Sequence, residues 1–209
     1  MVKVKKRWAK RIAAVTLACT LGAGAVGALV GCSSDSKSNS DEMSVAWTSN
    51  AGEYNLDPTN NYMGWQGSYL GIYEQLFRID ANFDPQPMLA ESAEMVNDTT
   101  WKITIREGVT FQNGNELNAQ AVADCLNRTI SMNERAKKSL DIASMEADGN
   151  VLTVTTNSLN TAFKNELSEP VASIIDVNSG AAEDEPVGTG PYKIDSVAGN
   201  GDVELSAYD

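Results

Sequence analysis

The hydrophobic period of the chain changes from two residues to about 3.6 within one central stretch, and this change is the strongest constraint on its fold. Residues 99–106 alternate Trp101, Ile103 and Ile105 with polar side chains, which predicts a strand. A helix capped by Asn118 is expected next, because apolar side chains recur behind it at helical spacing. Both periods together predict a mixed α/β or α+β domain and exclude a helical bundle or an all-β sandwich.

The same kind of pattern predicts further elements on both sides of this pair. Strands are expected over residues 43–48, 191–195 and 203–208, and a hairpin over residues 143–156 that turns through Asp148-Gly149. Helices are expected over residues 68–77 and 161–167. Residues 55–66 are expected to form a loop, and residues 88–93 a short turn or helix.

The first 31 residues differ in composition from the rest of the chain. Residues 3–11 carry six basic side chains and no acidic one, and residues 12–31 are uncharged and rich in small apolar side chains. A basic start, an apolar middle and small residues before a cleavage point are typical of a secretory signal peptide. The segment ends in Leu29-Val30-Gly31-Cys32, which resembles a bacterial lipobox. We therefore expect cleavage before Cys32 and attachment of a diacylglycerol to its thiol.

Residues 32–42 are expected to be a flexible tether. Residues 33–41 (SSDSKSNSD) contain no apolar side chain, so they cannot bury enough surface to become ordered. A tether behind a lipidated cysteine would hold a folded body at the outer face of a cell membrane, and an acyl chain on the new amino terminus would strengthen the anchor. The alternative is an uncleaved transmembrane anchor with an incidental cysteine.

Charge and composition exclude several classes of function. Removing the six amino-terminal basic residues from the 16 basic and 28 acidic ones leaves a net charge of about −18, which is too negative for a nucleic-acid partner. The chain has no histidine, so imidazole catalysis and histidine-containing metal sites are excluded. Cys125 lies in an apolar helical pattern and is expected to be an inert buried thiol. No catalytic residue and no cofactor are expected.

Four groups of short segments in the body of the chain form a recognisable series of motifs. They are residues 55–58 (NLDP) with 72–78 (IYEQLFR), 87–92 (PMLAES), 100–114 (TWKITIREGVTFQNG) with 117–122 (LNAQAV), and 187–193 (VGTGPYK). In this order and spacing they resemble the family 5 extracellular solute-binding proteins of bacterial ABC importers, which include the dipeptide, oligopeptide and nickel receptors. The resemblance covers residues 43–209.

The resemblance implies a periplasmic-binding-protein-like fold of type II, in which two lobes close on a ligand like a hinge. Residues 43–75 and 186–209 would be parts of a discontinuous lobe I, and residues 76–185 its small subdomain. Family members are more than twice as long, so we expect the first lobe and its subdomain only, with the second lobe absent. The partners would be a peptide or another small solute and the transmembrane subunits of a permease. A separate subunit would supply the ATPase, because the chain lacks a GxxxxGK[ST] loop.

The resemblance also implies which residues touch the ligand. The loop after Asp57-Pro58 would face the cleft with four side chains that combine adaptable apolar contact and a polar group: Tyr62, Met63, Trp65 and Gln66. An equally simple interpretation is that the two aromatic residues only cover the lobe. The nickel receptors use basic side chains at positions that correspond here to Ala136 and Val171, which makes nickel the weaker alternative.

Two other classes of function are weighed against a receptor. A secreted hydrolase would need a nucleophile beside a base, and no such pair stands out in the sequence. A surface lipoprotein that no longer transports a solute is the second alternative, because the resemblance includes only part of the family's length.

Overall fold

The computed structural model describes residues 2–5, 42–45, 55–60, 63–180, 185–198 and 202–208. The strands are β1 (Val2–Lys5), β2 (Glu42–Val45), β3 (Phe77–Ile79), β4 (Pro85–Pro87), β5 (Ala90–Asn97), β6 (Thr100–Ile105), β7 (Ile142–Asp148), β8 (Val151–Thr156), β9 (Tyr192–Val197) and β10 (Val203–Ala207). The helices are α1 (Met63–Tyr69), α2 (Ala119–Met132), α3 (Glu134–Leu140) and α4 (Phe163–Glu166), with a 3₁₀ turn at Pro170–Ala172.

One sheet joins the two ends of the chain in the strand order β2-β1-β10-β9. β1 runs parallel to β10, and the other pairs are antiparallel. Val203 and Leu205 on β10 are fully buried, so this strand lies against the core. β1 belongs to the segment expected to be a signal peptide; the other residues of that segment, together with Cys32, lie outside the described residues.

The second sheet has the order β5-β6-β8-β7, and all its pairs are antiparallel. Ile103 on β6 and Leu152 and Val154 on β8 are fully buried in the core to which α2 contributes its apolar face. The predicted strand at 99–106, the hairpin at 143–156 and the helix capped by Asn118 are therefore confirmed. The Asn118 Oδ1 atom accepts a hydrogen bond from the Ala121 amide at 3.0 Å, as a helix cap requires.

The helix predicted over residues 68–77 is wrong. Helix α1 ends at Tyr69, and Gly71 has φ of +69°, a conformation that favours glycine and ends a helix. The segment that follows is extended and pairs at Glu74 with Ile174. Most of its apolar residues are buried whichever way they point. A short segment of this kind shows neither the alternation of a half-buried strand nor a single helical stripe, so periodicity cannot tell a strand from a helix here.

Three other predictions need correction. Residues 88–93 were expected to be a turn or helix, but residues 90–97 form strand β5, in which six of the eight residues are exposed, so no alternation of apolar and polar side chains marks it. The predicted loop over 55–66 becomes helical at Met63. The helix predicted over 161–167 is reduced to α4, and the sequence patterns gave no indication of α3.

The segment 187–190 passes close against residues 71–73. A Cβ atom on Gly188 would lie 2.2 Å from the Ile72 carbonyl oxygen, and one on Gly190 would lie 2.2 Å from the Gly71 carbonyl oxygen. Neither glycine has a positive φ, so glycine is required here by the close approach of two backbones. Across the described part of the chain, no helix has the length and apolar character needed to cross a membrane.

Candidate ligand-binding site

The loop of residues 55–60, which precedes α1, is folded by its own polar side chains. The Asp57 amide donates to the Asn55 Oδ1 atom at 2.8 Å, and the Thr59 amide donates to the Asp57 Oδ1 atom at 2.9 Å. The Thr59 hydroxyl donates to the same Asp57 oxygen at 2.8 Å. Such Asx turns form from local sequence alone. Asp57 is nevertheless 2% exposed, so its carboxylate needs a partner from elsewhere in the chain.

That partner is Arg128 on α2, which is 71 residues away in the chain. Its guanidinium binds both carboxylate oxygens of Asp57, with the Nη1 atom 2.9 Å from Oδ1 and the Nη2 atom on Oδ2. Burial alone would raise the pKa of Asp57, but hydrogen bonds from Arg128 and Thr59 outweigh it and hold this pKa below its ordinary value. A two-point contact of this kind determines the orientation of both groups as well as their distance.

Two further contacts attach the same loop to the core. The Asn133 Nδ2 atom, at the junction of α2 and α3, donates to the Thr59 carbonyl at 2.9 Å. The Tyr73 hydroxyl donates to the Leu56 carbonyl at 2.9 Å. Helix α1 also rests on the Tyr73 ring, since a Cβ atom on Gly67 would lie 2.0 Å from the Tyr73 hydroxyl. The loop and the helix that follows it therefore share one support.

The structure places the predicted ligand residues unequally. Tyr62 lies outside the described residues, and the backbone of Met63 begins α1. Trp65 and Gln66 are half-buried on α1. They were expected in a loop, but they lie on a helix, so the helical backbone determines the directions of their side chains.

The base of α1 is tied to the segment after the 3₁₀ turn by a small polar cluster. The Gln75 Nε2 atom donates to the Ser68 hydroxyl at 2.6 Å and to the Ser173 hydroxyl at 2.8 Å. The two hydroxyls are 3.1 Å apart. This cluster and the Asp57–Arg128 pair thus attach α1 and its preceding loop to the rest of the chain at two separate points.

The sequence analysis placed the ligand loop directly after Asp57, but it did not reveal Arg128 or Met132 as neighbours of the site. Met132, at the end of α2, is 51% exposed, and its Sδ atom lies 3.9 Å from the Thr59 hydroxyl oxygen. An arginine directly beside the apolar stripe of α2 was the available signal, but only the tertiary contact identifies its partner.

No group of three or more potential metal-ligating side chains (His, Cys, Asp or Glu) occurs among the described residues. The predicted burial of Cys125 is confirmed, and this burial raises the pKa of its thiol to about 11. Ala136 and Val171, the positions where the resemblance led us to expect the basic residues of a nickel receptor, are both buried in the core.

The sequence of residues 84–209 matches the family model described as bacterial extracellular solute-binding proteins, family 5, middle. Among curated relatives, the nickel-binding protein NikA of Staphylococcus aureus is 33% identical over 140 residues, which are 66% of this chain and 28% of that protein. The glutathione-binding protein GsiB of Escherichia coli K12 is 34% identical over 138 residues, which are 60% of this chain and 26% of that protein. The matches thus span less than a third of either relative.

Solved structures show the same relationship. A nickel ABC transporter protein from Bacillus halodurans superposes with a TM-score of 0.68 at 33% identity, over 77% of this chain and 37% of that one. NikA from S. aureus in complex with Ni(L-His)₂ gives 0.67 at 27% identity, over 75% and 37%. The mixed α/β, periplasmic-binding-protein-like fold is thereby confirmed, and the partial coverage fits one lobe only. This chain belongs to the family 5 bacterial extracellular solute-binding proteins.

Proposed function

We propose that this chain is the solute-capturing component of an ABC importer, which binds a peptide or similar small solute outside the cell and delivers it to the permease. Membership of the family is the observation that carries the proposal. The architecture agrees with it, since a folded core holds one short helix and its preceding loop in a defined position. A surface held in this way loses little conformational freedom when a ligand binds.

The proposed contact residues are Tyr62, Met63, Trp65 and Gln66. The half-buried indole of Trp65 offers a large flat apolar surface, and the amide of Gln66 both donates and accepts hydrogen bonds. Met132, half-exposed beside Thr59, would extend the apolar part of the same surface. Such a mixture suits the backbone amides and varied side chains of a short peptide.

A nickel complex is the second candidate, because two of the similar solved structures are nickel proteins. One of them holds nickel as Ni(L-His)₂. A metal that arrives with its own ligands needs no histidine from the receptor, so the absence of histidine here does not exclude it. The apolar, buried side chains of Ala136 and Val171 favour a peptide over this alternative.

Thermal unfolding with a small panel of solutes tests the proposal. The panel contains glutathione, a set of tripeptides, and Ni(II) with two equivalents of L-histidine. A true ligand at about 100 times its Kd adds about 2.7 kcal/mol to the free energy of unfolding. Trp65→Ala should abolish most of this stabilisation. Phe83→Ala, which truncates an 81% exposed aromatic residue between β3 and β4, should leave it unchanged.

The anchor is proposed separately. Cleavage before Cys32 and lipidation of its thiol would place the chain at the outer face of a membrane, with residues 32–42 as a tether. Mass spectrometry of the membrane fraction should find a thioether-linked lipid on Cys32, and Cys32→Ser should release the protein. Cleavage would also remove β1 from between β2 and β10, so neither strand would keep this partner in the mature chain. A lipidated chain that supports no solute uptake would favour the surface lipoprotein instead.

A further inference from the structure

We propose that Asp57 and Arg128 are positioning residues for ligand binding, which hold the loop before α1 and thereby orient Trp65 and Gln66. This inference rests on the proposed function, because it assigns the role of the pair relative to the proposed contact surface. Neither residue is itself offered as a ligand contact.

The first argument is the number of points at which the core holds this short loop. Arg128 binds the Asp57 side chain, Asn133 binds the Thr59 carbonyl, and Tyr73 binds the Leu56 carbonyl. The Arg128 Nη1 atom also lies 3.4 Å from the Thr59 hydroxyl oxygen. Two regions of the chain, the end of α2 with its cap Asn133 and the segment at Tyr73, therefore bind three of the six residues from 55 to 60.

The second argument is that the hydrogen bonds which shape the turn around Asp57 are local. The Asn55 and Thr59 contacts with Asp57 shape the turn, but they do not attach it to anything. Attachment of the Asp57 side chain to the rest of the chain comes from Arg128, whose side chain is 16% exposed. A lysine at this position would keep the charge but lose the planar fork that binds both oxygens at once.

The third argument is the continuity between the loop and the proposed contact surface. Tyr73 supports the loop through its hydroxyl and supports α1 through its ring beneath Gly67. Residues on both sides of positions 61 and 62 are thus fixed to one core. Loosening the loop should therefore change the position of Trp65 relative to the rest of the surface.

Arg128→Lys in the full-length protein tests the proposal, with Arg78→Lys on the exposed strand β3 as the matched control. Hydrogen–deuterium exchange is measured for peptides that cover residues 55–70 and for peptides from β6 and β8. Affinity is measured for glutathione as a short-peptide probe and for Ni(II) with two equivalents of L-histidine. We expect exchange over residues 55–70 to become at least tenfold faster while exchange in β6 and β8 stays unchanged. We also expect the affinity of the binding probe to fall about tenfold, because the contact surface must be ordered again on binding.

Two results would overturn the proposal. Exchange that rises equally in residues 55–70, β6 and β8 would make the pair a global stabiliser only. Unchanged affinity in a variant whose loop is demonstrably loosened would separate the loop from binding. If neither probe binds the unaltered protein, the proposed function fails for these ligand classes, and the exchange measurement alone still decides whether the pair holds the loop. Asp57→Asn provides a second variant that removes the charge and keeps the shape.

Discussion

Gln112 joins the two halves of the fold, and its replacement should be unusually costly for a side chain that is only partly buried. Its Nε2 atom lies 2.8 Å from the Ile72 carbonyl oxygen, 3.0 Å from that of Gly190 and 2.7 Å from that of Tyr192. Its Oε1 atom accepts a hydrogen bond from the Gly188 amide at 3.1 Å. The Gln112 side chain, which lies in the loop between β6 and α2, thus binds both the segment at Ile72 and the segment from Gly188 to Tyr192.

The number of hydrogen bonds made by Gln112 determines how much stability its replacement should remove. An amide has two N–H hydrogens, so the three carbonyls share two donors, and the Gly188 contact makes a third bond. At a net value of roughly 1 kcal/mol for each bond, Gln112→Ala should lower the free energy of unfolding by about 3 kcal/mol. That is a large part of the 5–15 kcal/mol that is typical of a folded domain, on the order of a third.

Gln112→Glu provides a sharper test, because it keeps the shape and places a carboxylate oxygen opposite three carbonyl oxygens. Repulsion would raise the pKa of the new side chain in the folded state above its unfolded value of about 4.3. The penalty is therefore absent below the unfolded pKa, and it grows as the pH rises through the folded pKa. The Glu variant should be less stable than the Ala variant at pH 7 and should recover much of the difference near pH 4.

Urea unfolding followed by tryptophan fluorescence at pH 4 and pH 7 measures both effects. Gln120→Ala is the matched control, since Gln120 is exposed on α2 and bonds only to Asp124 at 2.8 Å in the same helix. Its effect should stay within about 0.5 kcal/mol. A loss below about 1 kcal/mol for Gln112→Ala, or a Glu variant whose deficit does not depend on pH, would refute this account of the junction.

Four further outcomes are expected. Gly188→Ala should lower the free energy of unfolding by about 1–3 kcal/mol in urea titration, since its Cβ atom would lie 2.2 Å from the Ile72 carbonyl oxygen. Asn133→Ala should cost about 2 kcal/mol in the same assay, because it removes both the cap of α3 and the bond to the loop before α1. Cys125, with its pKa raised to about 11, should resist thiol reagents at pH 8 and react only at the unfolding rate; fast modification seen by mass spectrometry would contradict its burial. The pKa of Asp57 is lowered from 3.8, so the stability that its carboxylate contributes is present above that value and is lost as the pH falls through the lower folded pKa. In Asp57→Asn the melting temperature should therefore depend less on pH between pH 2 and 5 than it does in the unaltered protein.

Local patterns identified the elements that have one buried face. Strand β6 alternates strictly, helix α2 has a single apolar stripe and an Asn118 cap, and the β7–β8 hairpin has turn residues where the chain reverses. In each case the environment of every side chain follows from its own position, so the periodicity carries the information.

Hydrophobic periodicity failed to predict the secondary structure of a segment that is mostly buried and of a strand that is mostly exposed. Five of the eight residues from 70 to 77 are buried and apolar, and an extended chain buries them as well as a helix would. Strand β5 is exposed along most of its length, so its pairing with β6 gives little sequence signal. The structure decides both cases through partners that are distant in the chain.

The sequence by itself determined the family, the mixed α/β class, and strand β6, helix α2 and the β7–β8 hairpin, because these depend on spacing along the chain. Its choice of Trp65 and Gln66 as contact residues stays a prediction; both lie on the helix that follows the Asp57 turn. Only the tertiary structure decided that Arg128 holds Asp57, that Gln112 holds the crossing backbones, and that α1 rests on Tyr73. These contacts join residues separated by many positions, and no local period records which distant side chain will satisfy a buried charge or a crowded glycine.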